Sequence, residues 1–324
     1  MQRIIGLMMA LALVSACTGS AQPSTRSAQS SVASPAPSSA QMSAQSPAPS
    51  VAPSPTPSPS PHHLFFPSSS TTIARAMLDG SHVDQQFITD ADGPTFPLVK
   101  GQYLYWGSTG WIGRANLDGS DVDLHFIGTG AYLVDGLASD GSYLYWANTE
   151  TRSGTNDGTT IGRANLDGSG VDQHFINGAR GPTGLATDGR YLYWANAGPG
   201  YAGSTIGRAN LDGSQVSEGF ISGATAPAGV AVAGAYLYWG NAGAFTTGTR
   251  IGRASLDGSH VEQHFISGLL GPCSVAVDGT FIYWTNDGDV PPTEIGRAML
   301  DGSGVNNYFI NTADTAGCGV AISP

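Results

Sequence analysis

Residues 161–169 read IGRANLDGS, and a version of this stretch occurs six times between residues 62 and 324. The copies are spaced 39, 49, 45, 45 and 44 residues apart. They begin at Ile73, Ile112, Ile161, Ile206, Ile251 and Ile295. A period near 45 residues is typical of stacked supersecondary units such as propeller blades. The repeat therefore decides the fold of the chain from residue 62 onward.

The copy that begins at Gly184 divides into four short segments, which read GLATD, RYLYWAN, STIGRANLDG and SQVSEGFIS. Their apolar residues alternate or form short runs, which favours strands over helices. Asp188-Gly189 joins the first two segments and Asp212-Gly213 the last two, and both pairs predict type I′ hairpins. Four strands joined by tight turns and repeated six times predict an all-β fold, a six-bladed β-propeller of four-stranded antiparallel blades.

The repeat is out of phase at both ends of this region. Leu64-Phe65-Phe66 stands where Leu-Tyr-Trp stands in later copies, and no first strand precedes it. Residues 318–323, CGVAIS, are a first strand with no blade after it. We expect this strand to pair into the N-terminal blade and close the ring, so that no sheet edge stays open.

The motifs YWTN, YWAN and YWGN, each followed by a copy of IGRANLDGS, resemble the YWTD repeats of low-density-lipoprotein-receptor class B modules. The resemblance covers about 260 residues and implies a six-bladed propeller. The Asp of that motif is Asn in four copies and Ser in the second: Asn148, Asn196, Asn241, Asn286 and Ser108. We expect neutral hydrogen bonds in place of the charge pairs that this Asp makes between blades in the family.

Two other sets of residues recur with the repeat, and we predict structural roles for both. The arginine two residues after each leading isoleucine should stack on the Tyr or Trp of the YW motif. Its copies are Arg75, Arg114, Arg163, Arg208, Arg253 and Arg297. The tryptophans should fill the wedge between adjacent sheets, with room left by Gly162 and its equivalents. They are Trp106, Trp146, Trp194, Trp239 and Trp284.

The first 61 residues differ in composition from the repeats. Residues 1–17 combine a basic start, a short apolar run and the sequence Val14-Ser15-Ala16-Cys17, which resembles the lipobox of a bacterial lipoprotein signal peptide. Residues 18–61 are rich in Ser, Pro and Ala, which predicts a disordered linker. The sequence thus predicts a propeller over residues 62–324, tethered outside the cytoplasm by a lipid on Cys17, in the cell envelope.

The two faces of the predicted propeller differ in sequence. We define the turn face as the side with the first-to-second and third-to-fourth strand turns, which are mostly Asp-Gly. The loop face has the second-to-third and fourth-to-first connections, which vary between copies and contain large side chains such as Leu269-Leu270. Variable loops on a rigid scaffold are the usual binding surface. The candidate ligand-binding residues there are Trp111, Tyr132, Arg180, Tyr201 and Phe245.

One residue per blade begins the first strand near the channel on the loop face: Thr95, Asp135, Thr183, Ala228, Cys273 and Cys318. This ring contains one carboxylate, whereas Ca²⁺-dependent lactonase-type propellers hold their ion with several, so no metal site or cofactor is predicted. Asp287, Asp289 and Glu150 on longer loops keep a Ca²⁺ alternative open. Cys273 and Cys318 occupy equivalent positions in adjoining blades, so a disulfide between them could lock the ring closure. Such a bond requires Cα atoms within about 7 Å.

No catalytic motif stands out, and His125, His174 and His264 fall on different blades, too far apart to share a metal. The net charge of −11 argues against nucleic-acid binding. The sequence therefore predicts a monomeric, non-catalytic binding or scaffold module for a protein or glycan. Two alternatives remain: a hydrolase or lyase with a metal ion in the channel, and a structural envelope protein.

Overall fold

The computed structural model describes residues 62–131, 133–150, 158–243, 248–286, 294–311 and 317–323. The predicted signal peptide with Cys17, the linker of residues 18–61, and the candidate residues Tyr132 and Phe245 lie outside the described residues. So do Asp287, Asp289 and the side chain of Glu150. In the described ranges, no helix has the length and apolar character that crossing a membrane requires.

Six sheets, each of four antiparallel strands, form the blades. Blade 1 contains β1 (His63–Ser69), β2 (Thr72–Met77), β3 (Asp84–Ile88) and the last strand, β24 (Ala321–Ile322). Blade 2 contains β4 (Thr95–Lys100), β5 (Tyr103–Gly107), β6 (Trp111–Asn116) and β7 (Asp123–Gly128). Blade 3 contains β8 (Leu133–Ser139), β9 (Tyr143–Glu150), β10 (Thr160–Asn165) and β11 (Asp172–Asn177).

The other three blades have the same arrangement. Blade 4 contains β12 (Pro182–Thr187), β13 (Tyr191–Asn196), β14 (Thr205–Asn210) and β15 (Ser217–Ser222), with a short 3-10 helix (Pro199–Tyr201) before β14. Blade 5 contains β16 (Pro227–Ala233), β17 (Tyr236–Asn241), β18 (Arg250–Ser255) and β19 (Glu262–Ser267). Blade 6 contains β20 (Pro272–Val277), β21 (Phe281–Asn286), β22 (Glu294–Met299) and β23 (Asn306–Asn311).

The predicted ring closure is confirmed. Blade 1 has the strand order β24-β1-β2-β3, with Leu64 paired to Ile322 and Phe65 paired to Ala321. The His63 N–H donates to Ser323 Oγ at 2.7 Å. Blade 1 is therefore built from both ends of the repeat region, as the missing first strand of its sequence predicts.

The predicted type I′ turns are wrong. In blade 3, the Gly168 N–H donates to the Asn165 carbonyl at 2.9 Å, and the Asn165 N–H donates to the Ser169 carbonyl at 2.9 Å. Gly168 has φ 86, whereas Asp167 is not in the left-handed region. This pattern is a three-residue loop in which a left-handed glycine closes a bulge. The Asp167 carboxylate stabilises the loop by accepting a hydrogen bond from the Ser169 N–H at 2.9 Å.

Each tryptophan lies over a glycine of the next strand in its own blade. Trp146 is paired with Gly162, and a methyl group on Gly162 would overlap the Trp146 indole. The same holds in the four other blades that carry tryptophan. Blade 1 instead pairs Phe66 with Ala74, so a smaller ring accompanies the added methyl group. The pair is therefore matched in volume, as close-packed interiors require.

These aromatic side chains make the core between blades. Trp194 packs against Tyr145 and Ile161 of the preceding blade, and Phe66 packs in the same way against Tyr283 and Ile295. Six such clusters, one at each blade boundary, surround the ring in the described residues. The blades are thus joined by equivalent apolar wedges, and the last wedge joins blade 6 to blade 1.

Five of the six repeated arginines lie between two aromatic rings, and Arg75 lies over the ring of Phe87. Neither ring is the predicted Tyr or Trp of the YW motif. Arg163 Cζ lies 4.5 Å from the Tyr143 ring centroid and 4.1 Å from that of Phe175. Phenylalanine of the fourth strand is the partner common to all six arginines. The Arg297 guanidinium also donates to the Leu78 carbonyl of blade 1 at 3.3 Å. Such contacts contribute about 0.5–1 kcal/mol each at partly exposed positions.

The asparagines that replace the Asp of the YWTD motif do make neutral hydrogen bonds. Asn148 accepts from Trp146 Nε1 at 3.1 Å and donates to Thr160 Oγ1 at 2.8 Å. Asn196 accepts from the Arg180 N–H at 3.2 Å, and Asn241 accepts from the Thr225 N–H at 2.9 Å. These amides secure the strand ends beneath the loop face.

Candidate functional site

The ring of residues that begins the first strands surrounds one cavity on the loop face. Five of its six members line a space of about 160 Å³ at the mouth of the channel: Thr95, Asp135, Thr183, Ala228 and Cys318. The sixth, Cys273, is 1% exposed and forms a disulfide with Cys318, with a Cα–Cα distance of 5.7 Å. We call this space the mouth cavity.

The mouth cavity is mostly apolar. Its remaining lining residues are Phe96, Leu133, Ala197, Tyr201, Ala226 and Ala242. The two threonine hydroxyls are used by the protein, since Thr95 donates to the Val134 carbonyl at 2.6 Å and Thr183 to the Pro227 carbonyl at 3.3 Å. Asp135 is the single carboxylate among the described lining residues. An apolar space with few polar groups is the usual character of a ligand site.

Three residues of the mouth cavity have a left-handed backbone although they are not glycine. They are Phe96 with φ 37, Tyr201 with φ 60 and Ala226 with φ 40. Of the five other described residues in this class, His82, Asp121, Gln215 and His260 occupy one repeated position after the LDGS turn, and Asp90 lies in the connection after β3. A positive φ costs a residue with a side chain roughly 1–2 kcal/mol, and such strain is concentrated at functional sites.

Two of these strained positions are glycine in other blades. Phe96 aligns with four glycines and with Ser274, and of these glycines Gly136 and Gly319 have a positive φ. Ala226 aligns with Gly93, Gly181 and Gly271, whose φ values are 65, 56 and 66, and with Leu133 and Ala316. In both cases a side chain with a positive φ stands where several other blades have glycine, and it lines the mouth cavity. Phe96 also lines the channel beneath, a space of about 200 Å³.

The other predicted binding residues are more scattered. Trp111 begins β6, is 39% exposed and lies edge-on to His125, with 4.7 Å between ring centroids. Arg180 is exposed, and Tyr201 lines the mouth cavity. Leu269 belongs to the core between blades 5 and 6, so only Leu270, 45% exposed, remains of that predicted apolar pair. Of the described candidates, Tyr201 lies with the channel ring at the mouth cavity, whereas Trp111 and Arg180 do not line it.

Sequence reasoning did not single out Glu218, a half-buried carboxylate on β15. It accepts hydrogen bonds from Trp194 Nε1 at 3.3 Å and Asn196 Nδ2 at 3.1 Å. Burial raises the pKa of Glu218, and these two hydrogen bonds and the charge of Arg180 offset part of the rise. An alignment of the six copies would have revealed Glu218, because it is the one carboxylate at its position. The other blades have Gln85, Leu124, Gln173, Gln263 and Asn307.

The amides at this position connect neighbouring blades. Gln173 donates to the Gly128 carbonyl at 3.1 Å, Gln263 to Ser222 at 2.8 Å and Asn307 to Gly268 at 3.0 Å. A carboxylate has no proton to donate in this way. The boundary between blades 3 and 4 therefore lacks a hydrogen bond that three other boundaries have.

The described residues contain no group of three or more His, Cys, Asp and Glu side chains suited to a metal ion. The residues that would extend the carboxylate set at the mouth, Asp287, Asp289 and the side chain of Glu150, lie outside the described residues. Asp135 alone is a poor fit to Ca²⁺, which takes six to eight oxygen ligands.

No protein-family model matches the chain, and no curated protein is significantly similar in sequence. Solved structures are similar in fold. A chain of a nidogen–laminin complex gives a TM-score of 0.65 at 18% identity and covers 81% of this chain and 98% of that chain. A putative TolB from Agrobacterium tumefaciens gives 0.54 at 15% identity, covering 82% and 99%. A gluconolactonase from Xanthomonas campestris gives 0.51 at 17% identity, covering 69% and 86%.

At identities this low, the similarity shows a common fold only, and function has to be argued from the residues of each protein. The three similar chains differ in their named roles, which again separates fold from function. The chain is thus a six-bladed β-propeller with YWTD-type repeats, and its candidate site is the loop-side mouth of the channel.

Proposed function

We propose that this protein is a non-catalytic binding module whose loop face recognises a protein or glycan. The observation that carries the proposal is the mouth cavity, where Phe96 and Ala226 replace the glycines of the repeat in spite of a positive φ. Side chains retained at an energetic cost around one cavity favour selection for contact there over drift. The nidogen similarity supports a protein partner, since that chain was solved in a complex with laminin.

The proposal includes an extracytoplasmic location with a lipid anchor on Cys17. Support comes from the lipobox-like sequence at residues 14–17 and from the Cys273–Cys318 disulfide, because disulfides persist mainly in oxidising compartments. The Cys17→Ser variant should move from the membrane fraction to the soluble fraction after cell lysis. Unchanged membrane association of this variant would contradict the anchor.

Site-specific photocrosslinking in cells tests the binding face. Leu270 on the loop face and Val261 on the turn face of the same blade are matched positions, with exposures of 45% and 42%. A photoreactive residue at position 270 should give a discrete adduct, weakened by Tyr201→Ala, while one at position 261 should not. A glycan array probed with the purified full-length protein covers glycan ligands. Equal adducts from both faces, or no adduct and no glycan bound, would contradict a dedicated binding face.

The alternative is a hydrolase or lyase with a metal ion in the channel, and its supporting observation is Asp135 at the mouth cavity. Metal analysis of the purified full-length protein separates the two. We expect less than 0.1 equivalent of Ca²⁺ per chain after gel filtration in buffer without added metal. One equivalent of Ca²⁺, lost in Asp135→Asn, would favour the enzyme.

A further inference from the structure

We infer that the mouth cavity binds an organic cation, a short apolar chain that ends in a primary ammonium group. The inference rests on the proposed function, because it takes the loop-side mouth as the contact site and adds the chemistry of what enters it. Three properties of the lining carry it: charge, polarity and size.

The charge of the lining is negative. Asp135 is the one charged side chain among the described lining residues, which include no Lys, Arg or His. A carboxylate has about four acceptor positions, so it can accept from a ligand in addition to its partners inside the protein. A cation can pair with the carboxylate, whereas an anion would be repelled by it. A cation is the occupant that this lining favours.

The walls of the cavity suit an apolar body next to that charge. Ala197, Ala226, Ala228 and Ala242 present methyl groups, and Phe96 and Tyr201 add aromatic rings. Aromatic rings also attract cations through their quadrupole. Because the hydroxyls of Thr95 and Thr183 already donate to backbone carbonyls, the wall offers few hydrogen-bond donors to a polar or anionic ligand. A sugar hydroxyl or a phosphate is therefore a poor match.

The volume limits the ligand to a few atoms. The cavity measures about 160 Å³, and an apolar protein cavity of about 150 Å³ holds one benzene molecule. Roughly five or six non-hydrogen atoms fit on that scale. This is the size of n-butylammonium, and it is also the size of a lysine side chain beyond Cα. Phe96 lies at the boundary with the channel beneath, since it lines both spaces.

Titration calorimetry of the full-length protein with three probes tests the inference. The probes are n-butylammonium, butyrate and 1-butanol, which share an apolar chain and differ in charge. We expect saturable one-to-one binding of n-butylammonium, at least tenfold tighter than either other probe and weaker at high salt. Equal binding of all three, or no saturable binding of n-butylammonium, would overturn the inference.

Two variants distinguish a loss of binding from a loss of folding stability. Asp135→Asn should weaken n-butylammonium binding at least tenfold, while Asp212→Asn, the same change on the turn face, should leave it unaltered. Phe96→Gly restores the residue of the other blades, so the melting temperature should stay the same or rise while binding weakens. Retained binding in Asp135→Asn, or a destabilised Phe96→Gly protein with intact binding, would overturn the inference.

A fourth probe identifies the source of the ammonium group. N-acetyl-lysine methylamide presents lysine as it occurs within a protein chain. Binding as tight as that of n-butylammonium assigns the cavity to a lysine of a protein partner, and binding of n-butylammonium alone assigns it to a free amine. If the photocrosslinked adduct at position 270 forms normally but no ammonium probe binds, the ligand chemistry is wrong and the proposed binding face stands.

Discussion

On the turn face, every blade carries the sequence Leu-Asp-Gly-Ser, and its glycine has a φ between 85 and 89 in all six copies. On the loop face, the second-to-third connections differ between blades, for example STG in blade 2 and AGPGYAGS in blade 4. The mouth cavity is also on this side, with its strained Phe96, Tyr201 and Ala226. The turn face thus repeats one glycine-closed loop in every blade, whereas the loop face varies in sequence and length and contains the cavity where contact with a ligand is proposed.

The largest expected effect comes from removing the strand that holds both faces in one ring. Deletion of residues 317–324 removes β24 and with it the pairing to β1 and the disulfide. We expect loss of the cooperative thermal transition monitored by near-ultraviolet circular dichroism, because blade 1 loses its inner strand. Deletion of residues 20–50 in the predicted linker is the control and should leave the transition unchanged. A transition retained within a few degrees would contradict the closure.

The disulfide should have the next largest effect, and its effect should differ between the faces. Cys273 and Cys318 are 45 residues apart in sequence, and the chain-entropy model assigns about 4 kcal/mol to a loop of that length. The double variant Cys273→Ser, Cys318→Ser should lose about 2–4 kcal/mol of unfolding free energy in urea. Hydrogen exchange should accelerate at loop-face amides near the disulfide more than at the LDGS turns. Uniform acceleration would contradict this division, and unchanged intact mass on reduction would rule out the bond.

A smaller effect is expected within the constant part of the blade. Gly162→Ala places a methyl group against the Trp146 indole and should cost about 1–3 kcal/mol by overpacking. The double variant Trp146→Phe, Gly162→Ala reproduces the Phe66–Ala74 pair of blade 1, so it should recover part of the loss. Gly219→Ala is the control, because no atom lies within 4 Å of the added methyl group and its φ is ordinary. Additive single-variant effects in urea denaturation would contradict the volume match.

The smallest effect concerns Glu218 and depends on pH. Burial raises its pKa, so the folded protein binds more protons than the unfolded chain between the ordinary and the raised pKa, and stability falls as pH rises through that window. Glu218→Gln removes this loss and provides the amide that bridges blades elsewhere. We expect a gain of about 1 kcal/mol at neutral pH and a smaller gain at about pH 3.5, below the window. A gain independent of pH would assign the whole effect to the hydrogen bond.

Most of the fold could be predicted from the repeat. Its period gives the number of blades, its apolar pattern gives the strands, and its out-of-phase ends give the ring closure. It predicted the ring closure from Leu64-Phe65-Phe66 and the unpaired strand at residues 318–323. The turn type was mispredicted because Asp-Gly also suits a bulged three-residue loop, in which only the glycine requires a positive φ. Leu269 was mispredicted because one apolar residue of a connection packs into the core while its neighbour stays exposed.

The site was less predictable because it depends on backbone conformation. The replacement of glycine by Phe96 and Ala226 is visible when the six copies are aligned, but its meaning depends on the φ values. Glu218 was visible in the same alignment as the one carboxylate at its position. Trp111 and Arg180 were correctly expected near loop-face ends of strands, yet neither lines the mouth cavity.

The pairing of β24 with β1 also delays the completion of blade 1 until the end of the repeat region is available. His62 and Ser323, hydrogen-bonded at 3.1 Å, are 261 residues apart in sequence. In a chain that emerges N-terminus first, from the ribosome or through an export channel, the first three strands of blade 1 are therefore available long before the fourth. During that interval the inner edge of β1 is an unpaired strand able to pair with other chains. Blades 2 to 6 face no such delay, since each is complete within one repeat, so the nascent chain is most exposed to misassembly at its earliest blade.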